Sequence, residues 1–174
     1  MEQSQSDGTD MKHRTDKEAR DKVMEIARKA RTAMMCTYDP SGMAHGRPMA
    51  AVDFEDDALW FFTQADSRKL DEIDRDPRVT LTYADQSKND WLSIQGRAAV
   101  TRDKAKAKEL WSEPMRAWFP DGPEDDKVAL IRVEADSAEY WDSPSGALVY
   151  AYGYVKAALT GEPPKPGDVA HVEM

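Results

Sequence analysis

A chain of 174 residues, 40% hydrophobic and 33% charged, is long enough for one domain with a buried core and too apolar to be disordered throughout. Its formal net charge of -9 leaves no basic face for nucleic acid or an anionic membrane, so neither partner is expected and any anion needs a local cluster. The single cysteine, Cys36, excludes an internal disulfide and a Cys-rich zinc centre, while the lack of a membrane-length apolar run or a signal-peptide core in residues 1–15 points to the cytoplasm.

In chain order, residues 1–14 are expected to form a disordered tail, 15–160 one domain, and 161–174 a loose, Pro-rich end. Thr15-Asp16-Lys17-Glu18 has capping-box spacing. Ala19, Val23, Ile26 and Ala30 recur on one face of the helix that follows, through about Arg31. Residues 33–38 read as a strand in which Cys36 packs as a small hydrophobe, and Asp39-Pro40-Ser41-Gly42 as a type I turn that makes a hairpin. The return strand, 43–54, puts His45, Arg47, Met49 and Ala51 on one face. Pro48 has no N–H to donate and belongs at an edge or a bulge.

The next stretch, 59–70, organises the reading. Leu59-Trp60-Phe61-Phe62 is a short apolar run closed by polar residues, hence a strand. Asp66 or Ser67 then offers an N-cap, and Leu70 and Ile73 give a helix one apolar stripe before Pro77. The charges on that helix run against its dipole, with Arg68 and Lys69 at the positive end and Asp71, Glu72, Asp74 and Asp76 toward the negative one. Either an anion such as a phosphate is held at the N-terminus, or these are solvated charges that pair at i,i+3 and i,i+4.

Residues 79–84 alternate Val79, Leu81 and Tyr83 with threonines, and 91–101 alternate again with an interruption at Gly96. Six or more short strands with tight turns suggest a barrel, so the chain reads as mainly β with flanking helices. Helix formers return over 103–111 and are expected to stop at Pro114. Trp118-Phe119 lies among turn residues, as an aromatic pair that packs on the body or on a partner. A last long strand is expected at 128–141 and a helix at 147–159.

Familiar catalytic constellations are absent. His13, His45 and His171 lie far apart, which supports neither a metal site nor a Ser-His-Asp triad, and His45 reads as a strand residue with a hydrogen-bonding partner. There is no Walker sequence and no Gly-rich dinucleotide fingerprint.

Arg47-Pro48-Met49, Trp60-Phe61-Phe62-Thr63, Ser67-Arg68-Lys69 and Glu139-Tyr140-Trp141 resemble, in order and spacing, the FMN-binding split β-barrels, the superfamily of pyridoxamine phosphate oxidase. With Trp118-Phe119-Pro120-Asp121-Gly122-Pro123, the chain is most similar to the general stress protein branch. The resemblance implies a homodimer with the flavin at its interface. It implies that Arg47, Ser67, Arg68 and Lys69 hold the phosphate, and that Phe62 and Thr63 meet the ribityl end. Pro48 and Met49 would lie along the ring, and Trp118 and Trp141 would approach it, one or both from the second subunit; the family's flavin-contacting Gln aligns with Trp91 here, and Gln95 nearby is the candidate for its place. The implied cofactor is FMN, with FAD or a deazaflavin as alternatives. The oxidases follow their Trp with an Arg-x-His motif that grips pyridoxamine phosphate, whereas Trp141 here precedes Asp142-Ser143-Pro144, so that substrate is not expected. Two functions remain: an oxidoreductase exchanging a hydride with NAD(P)H or a small reducible compound, or a non-catalytic stress-response protein that buffers flavin. A structural protein with an empty barrel is a third, which makes the helix charges accidental. No residue reads as a general acid.

Overall fold

The computed structural model describes residues 16–55, 58–142 and 168–174, and along them each element follows from its local pattern. Helix α1 (Asp16–Ala30) buries Ala19, Val23, Ile26 and Ala27, the stripe that a 3.6-residue period predicts. Strands β1 (Thr32–Tyr38) and β2 (Ala44–Glu55) are joined by the expected turn. In it the Gly42 N–H donates to Asp39 O at 2.9 Å and Gly42 takes a φ of 83°, a conformation that costs a side-chain-bearing residue energy. Cys36 is half-buried on the outward-facing row of β1 rather than fully packed.

Strand β3 (Ala58–Gln64) is apolar without alternation because both its faces are covered. Leu59 and Phe61 join the barrel core, while Trp60 and Phe62 join a second cluster with Phe119, Val128 and Leu130. Helix α2 (Arg68–Arg75) inserts Leu70 and Ile73 into the main core. Strand β4 (Arg78–Asp85) alternates as expected. Strand β5 (Asp90–Thr101) is interrupted at Gly96, where a Cβ would lie 2.3 Å from Glu134 O. The register shifts there so that Asp136 is passed over.

Helix α3 (Lys104–Glu109) is shorter than its sequence suggests, and its N-cap Asp103 accepts from the Ala105 and Lys106 N–H groups at 2.9 and 3.0 Å. Pro114 does not end it. That proline opens a separate 3-10 turn, Glu113–Ala117, where a missing N–H does no harm. Strand β6 (Val128–Asp142) follows. It is not the last strand: β7 (Asp168–Glu173) pairs with its C-terminal half, within a segment that composition alone marks as loose. The expected tail 1–14, Thr15 of the capping box and the helix at 147–159 lie outside the described residues.

The strands form one antiparallel sheet in the order β3-β2-β1-β4-β5-β6-β7, and β6 returns to pair with β3. That return closes a six-stranded barrel around Met35, Phe61, Leu81, Ile94, Ile131 and Tyr140. One seam of the closed barrel is short. β2 pairs with β3 only from Ala51 onward, past a bulge at Val52, so residues 44–50 are bonded to β1 alone among the described strands. Pro48 lies on that edge, as a residue without an N–H should. No helix among the described residues is long and apolar enough to cross a membrane.

Candidate functional site

Where β2 parts from β3, a cavity of about 490 Å³ opens. Its wall is apolar and aromatic, from Pro48, Met49, Phe62 and Trp118, and Thr63 and Lys69 supply polar groups. The volume and the apolar lining with few polar groups are those of a small-molecule site. Phe119 packs at 6.0 Å from Phe62 and is buried, whereas Trp118 beside it is 71% exposed. One aromatic anchors the segment and the other stands over the opening.

The polar end is built on the start of α2. Ser67 has extended N-cap backbone, yet its hydroxyl makes no capping bond. It accepts instead from Lys69 Nζ at 2.7 Å, and Thr63 Oγ1 accepts from the same ammonium at 2.7 Å. Burial pushes the Lys69 pKa down, the nearby Arg47 charge pushes it further, and Glu72 opposes them in part. A half-buried ammonium held by two neutral hydroxyls and facing another cation is a group that an anion would relieve. The backbone N–H groups at a helix N-terminus add to that preference.

Behind Lys69 lies a second layer. Arg47 Nη2 donates to Glu72 Oε2 at 3.1 Å, Arg47 Nη1 donates to Thr37 Oγ1, and the Thr37 hydroxyl in turn donates to Glu72 Oε2. The Glu72 side chain is 3% exposed. Burial alone pushes its carboxyl up, but the Thr37 hydrogen bond and the Arg47 and Arg68 charges together hold it below the ordinary value. Arg68 Nε lies 3.0 Å from Glu72 Oε1 while remaining exposed. The charges of α2 are only partly reversed, since Asp71 lies in its first turn, Arg75 in its last and Asp76 beyond it as the C-cap; of the two leading cations, Arg68 is part of an i,i+4 pair and Lys69 faces the cavity.

The structure gathers Pro48, Met49, Phe62, Thr63, Lys69 and Trp118 at the cavity, with Ser67 one hydrogen bond behind and Arg47 and Arg68 in the adjoining charge cluster. Gln95 and Trp141 are not there. Gln95 Nε2 donates to Ser93 Oγ at 2.9 Å on β5, and Trp141 pairs with Trp91 across β5 and β6. These tryptophans lie two residues along from the cross-strand row of Pro48, Met34 and Thr82, and Trp91 shares an outer-face hollow with Met34 and Pro48. His45 has the partner expected of it, Asp39 Oδ2 at 3.1 Å. Thr37 and Glu72 escaped the sequence reading, because nothing in the neighbourhood of either marks it as buried and paired.

Comparison with known proteins gives a consistent answer. Protein bli-3 of Neurospora crassa is 28% identical over 142 residues, which are 75% of this chain and 68% of that protein. General stress protein 26 from Jannaschia sp. CCS1 shares the fold at a TM-score of 0.75 and 23% identity, over 91% of this chain and 99% of that one. The general stress FMN/FAD binding protein of Xanthomonas citri is 30% identical at a TM-score of 0.65, over 75% of this chain and 92% of that one. A general stress family protein of Xanthomonas campestris pv. campestris is also 30% identical at 0.66, over 77% and 93%. The family model described as pyridoxamine 5'-phosphate oxidase like matches residues 18–165, and the chain, with its closed six-stranded antiparallel barrel, belongs to that family.

Proposed function

We propose that this protein is a cytoplasmic, homodimeric flavoprotein that binds FMN in the cavity beside Lys69 and works as an oxidoreductase on a small reducible molecule. The carrying observation is the Lys69 ammonium, pinned by Thr63 and Ser67 at a helix N-terminus and opening onto an aromatic-lined cavity. Lys69, Ser67 and Thr63 would receive the phosphate, with Arg47 and Arg68 adding charge. Met49, Phe62 and Trp118 would flank the ring and keep water from it. The Xanthomonas citri relative, an FMN/FAD binding protein, supports the same ligand class. A compact cationic end favours the monoester of FMN over the diphosphate of FAD.

A bound flavin supplies hydride exchange with a donor such as NAD(P)H. The protein supplies orientation and a positive phosphate anchor. The second copy is supported by the outer-face group of Met34, Pro48, Trp91 and Trp141, whose exposed large side chains form an apolar band contiguous with the cavity at Pro48. Through such an interface Gln95 and Trp141 would approach the neighbour's flavin. Among the described residues the cavity lining includes no carboxylate or imidazole, which also favours a second reading, a flavin buffer that transfers no proton.

An absorption spectrum of the purified protein, with chromatography of what denaturation releases, tests the cofactor: FMN is expected, and FAD, a deazaflavin or no flavin would overturn that assignment. Anaerobic mixing with NADH or NADPH then separates the two functions, since bleaching marks an oxidoreductase and its absence with every ordinary donor marks a buffer. Turnover of pyridoxamine phosphate to pyridoxal phosphate is expected to be undetectable, because Asp142-Ser143-Pro144 follows Trp141 in place of the substrate-gripping Arg-x-His.

A further inference from the structure

Glu72 behaves unlike the other acids of its helix. Asp71 and Asp74 stand in solvent, whereas the Glu72 side chain is 3% exposed and draws its partners from three places: Thr37 on β1, Arg47 on β2 and Arg68 on its own helix. A carboxylate taken out of water persists only when it is paired. Here the pairing also governs the cation. Arg47 and Lys69 are within electrostatic reach of each other, and Glu72, 3.1 Å from Arg47 Nη2, offsets part of their mutual repulsion. Without Glu72, a long and partly exposed guanidinium beside an ammonium has every reason to swing toward solvent. With Glu72 and Thr37 each taking one of its five N–H donors, the fork is fixed in direction and keeps donors for an anion.

We propose that Glu72, assisted by the Thr37 hydroxyl, is a positioning residue. It holds the Arg47 guanidinium beside Lys69 and thereby sets how strongly the site prefers a phosphorylated flavin to an unphosphorylated one. The proposal rests on the flavin reading above and adds a determinant of specificity that never touches the ligand. Glu72 acts on binding through Arg47, so its effect belongs to the phosphate and not to the ring.

The test compares dissociation constants for FMN and riboflavin by fluorescence titration. Glu72→Gln is expected to lower the FMN preference by about tenfold or more, the size of a lost charge-assisted contact, with riboflavin affinity nearly unchanged. In an Arg47→Met background the same substitution should leave the preference within about twofold, because the residue it acts through is gone. Thr37→Val keeps the shape of the side chain and should move the preference the same way by less. It decides the matter if Glu72→Gln fails to fold, as judged by its urea transition. A wild-type protein that prefers FMN, with variants that keep that preference, overturns this inference alone. A wild-type protein that binds neither ligand, or both equally, overturns the flavin-phosphate reading and this inference with it. Equal weakening of FMN and riboflavin by Glu72→Gln would reduce Glu72 to a structural role.

Discussion

Strands β2 and β4 both flank β1, yet they bury themselves in opposite styles. On β4 every second residue, Val79, Leu81 and Tyr83, is buried in the core. On β2 no residue is fully buried, and the inward row His45, Arg47, Met49 and Ala51 is only half covered. The difference lies in the neighbours. β4 is paired with β5 along its whole length and with β1 through its middle, Thr80 to Thr82, whereas β2 loses β3 before Ala51 and faces a cavity there. One strand is committed to stability, and the other leaves cationic and apolar side chains within reach of a ligand.

The sharpest way to break that comparison is to truncate one residue on each strand. Leu81→Ala removes a fully buried side chain and should cost about 2–5 kcal/mol in urea denaturation, with the flavin site following only as the fold weakens. Met49→Ala, at the cavity edge, should cost less than half as much and instead loosen the flavin directly. Equal losses of stability would mean that β2 is as much a part of the core as β4.

Next in size is the proposed phosphate anchor. Lys69→Ala should weaken FMN by more than about tenfold and riboflavin hardly at all, since a charge-assisted bond contributes about 1.5–3 kcal/mol. Stability should change little, because Lys69 is desolvated and faces Arg47. Arg68→Ala should do less to FMN, its side chain being 71% exposed and turned toward Glu72. Equal weakening of both ligands by Lys69→Ala would move the phosphate elsewhere.

The charge layer behind the anchor gives a pH dependence. The Glu72 carboxyl is held below its ordinary value in the folded chain, so it stabilises the fold fully above the unfolded pKa, and that contribution is lost as pH falls through the folded one. Asp76, pulled down to about 2 by Arg78, adds to the same trend at lower pH. Urea transitions followed from neutral pH downward should show stability falling below about pH 4.5, and Glu72→Gln should flatten the first part of that fall. A variant with the wild-type acid limb would show that Glu72 is not the group titrating there.

These contrasts also explain what was legible in the sequence. The alternation of β4 and the continuous apolar run of β3 are local signals, and both strands lie where the pattern puts them. The RPM, WFFT and SRK motifs led to the cavity because they are contiguous words. Glu72 was illegible, since its neighbours Asp71 and Asp74 look the same in sequence and its burial is decided by Arg47 and Thr37, 25 and 35 residues away. Strand β7 was masked differently: Asp168–Glu173 is short, follows a Pro-rich stretch and gains its pairing only from the far half of β6. Local propensity cannot announce a partner that distant.

The smallest expected effect on stability separates the two aromatics of the cavity mouth. Phe119 is buried against Phe62 of β3, so it holds the segment to the barrel, whereas the N–H groups of Trp118 and Phe119 alike donate to Met115 O at 3.0 Å. Trp118 has neither burial nor a comparable ring partner, yet it lines the cavity of its own chain. An exposed indole kept over an apolar cavity is placed to stack on a planar ligand. Trp118→Ala should therefore change stability by no more than about 0.5 kcal/mol, as surface substitutions do, while brightening bound flavin whose fluorescence the indole otherwise quenches. Flavin affinity should fall by only a few fold, because Met49 and Phe62 still flank the ring. If two copies share the site, dilution releases flavin from the wild-type protein by mass action. Because Trp118 lines its own chain's cavity, the brightening should be the same at high and low protein concentration. A brightening that appears only in the dimer would assign the indole to the neighbouring copy's flavin, and no brightening at all would leave Trp118 as a surface residue of its segment.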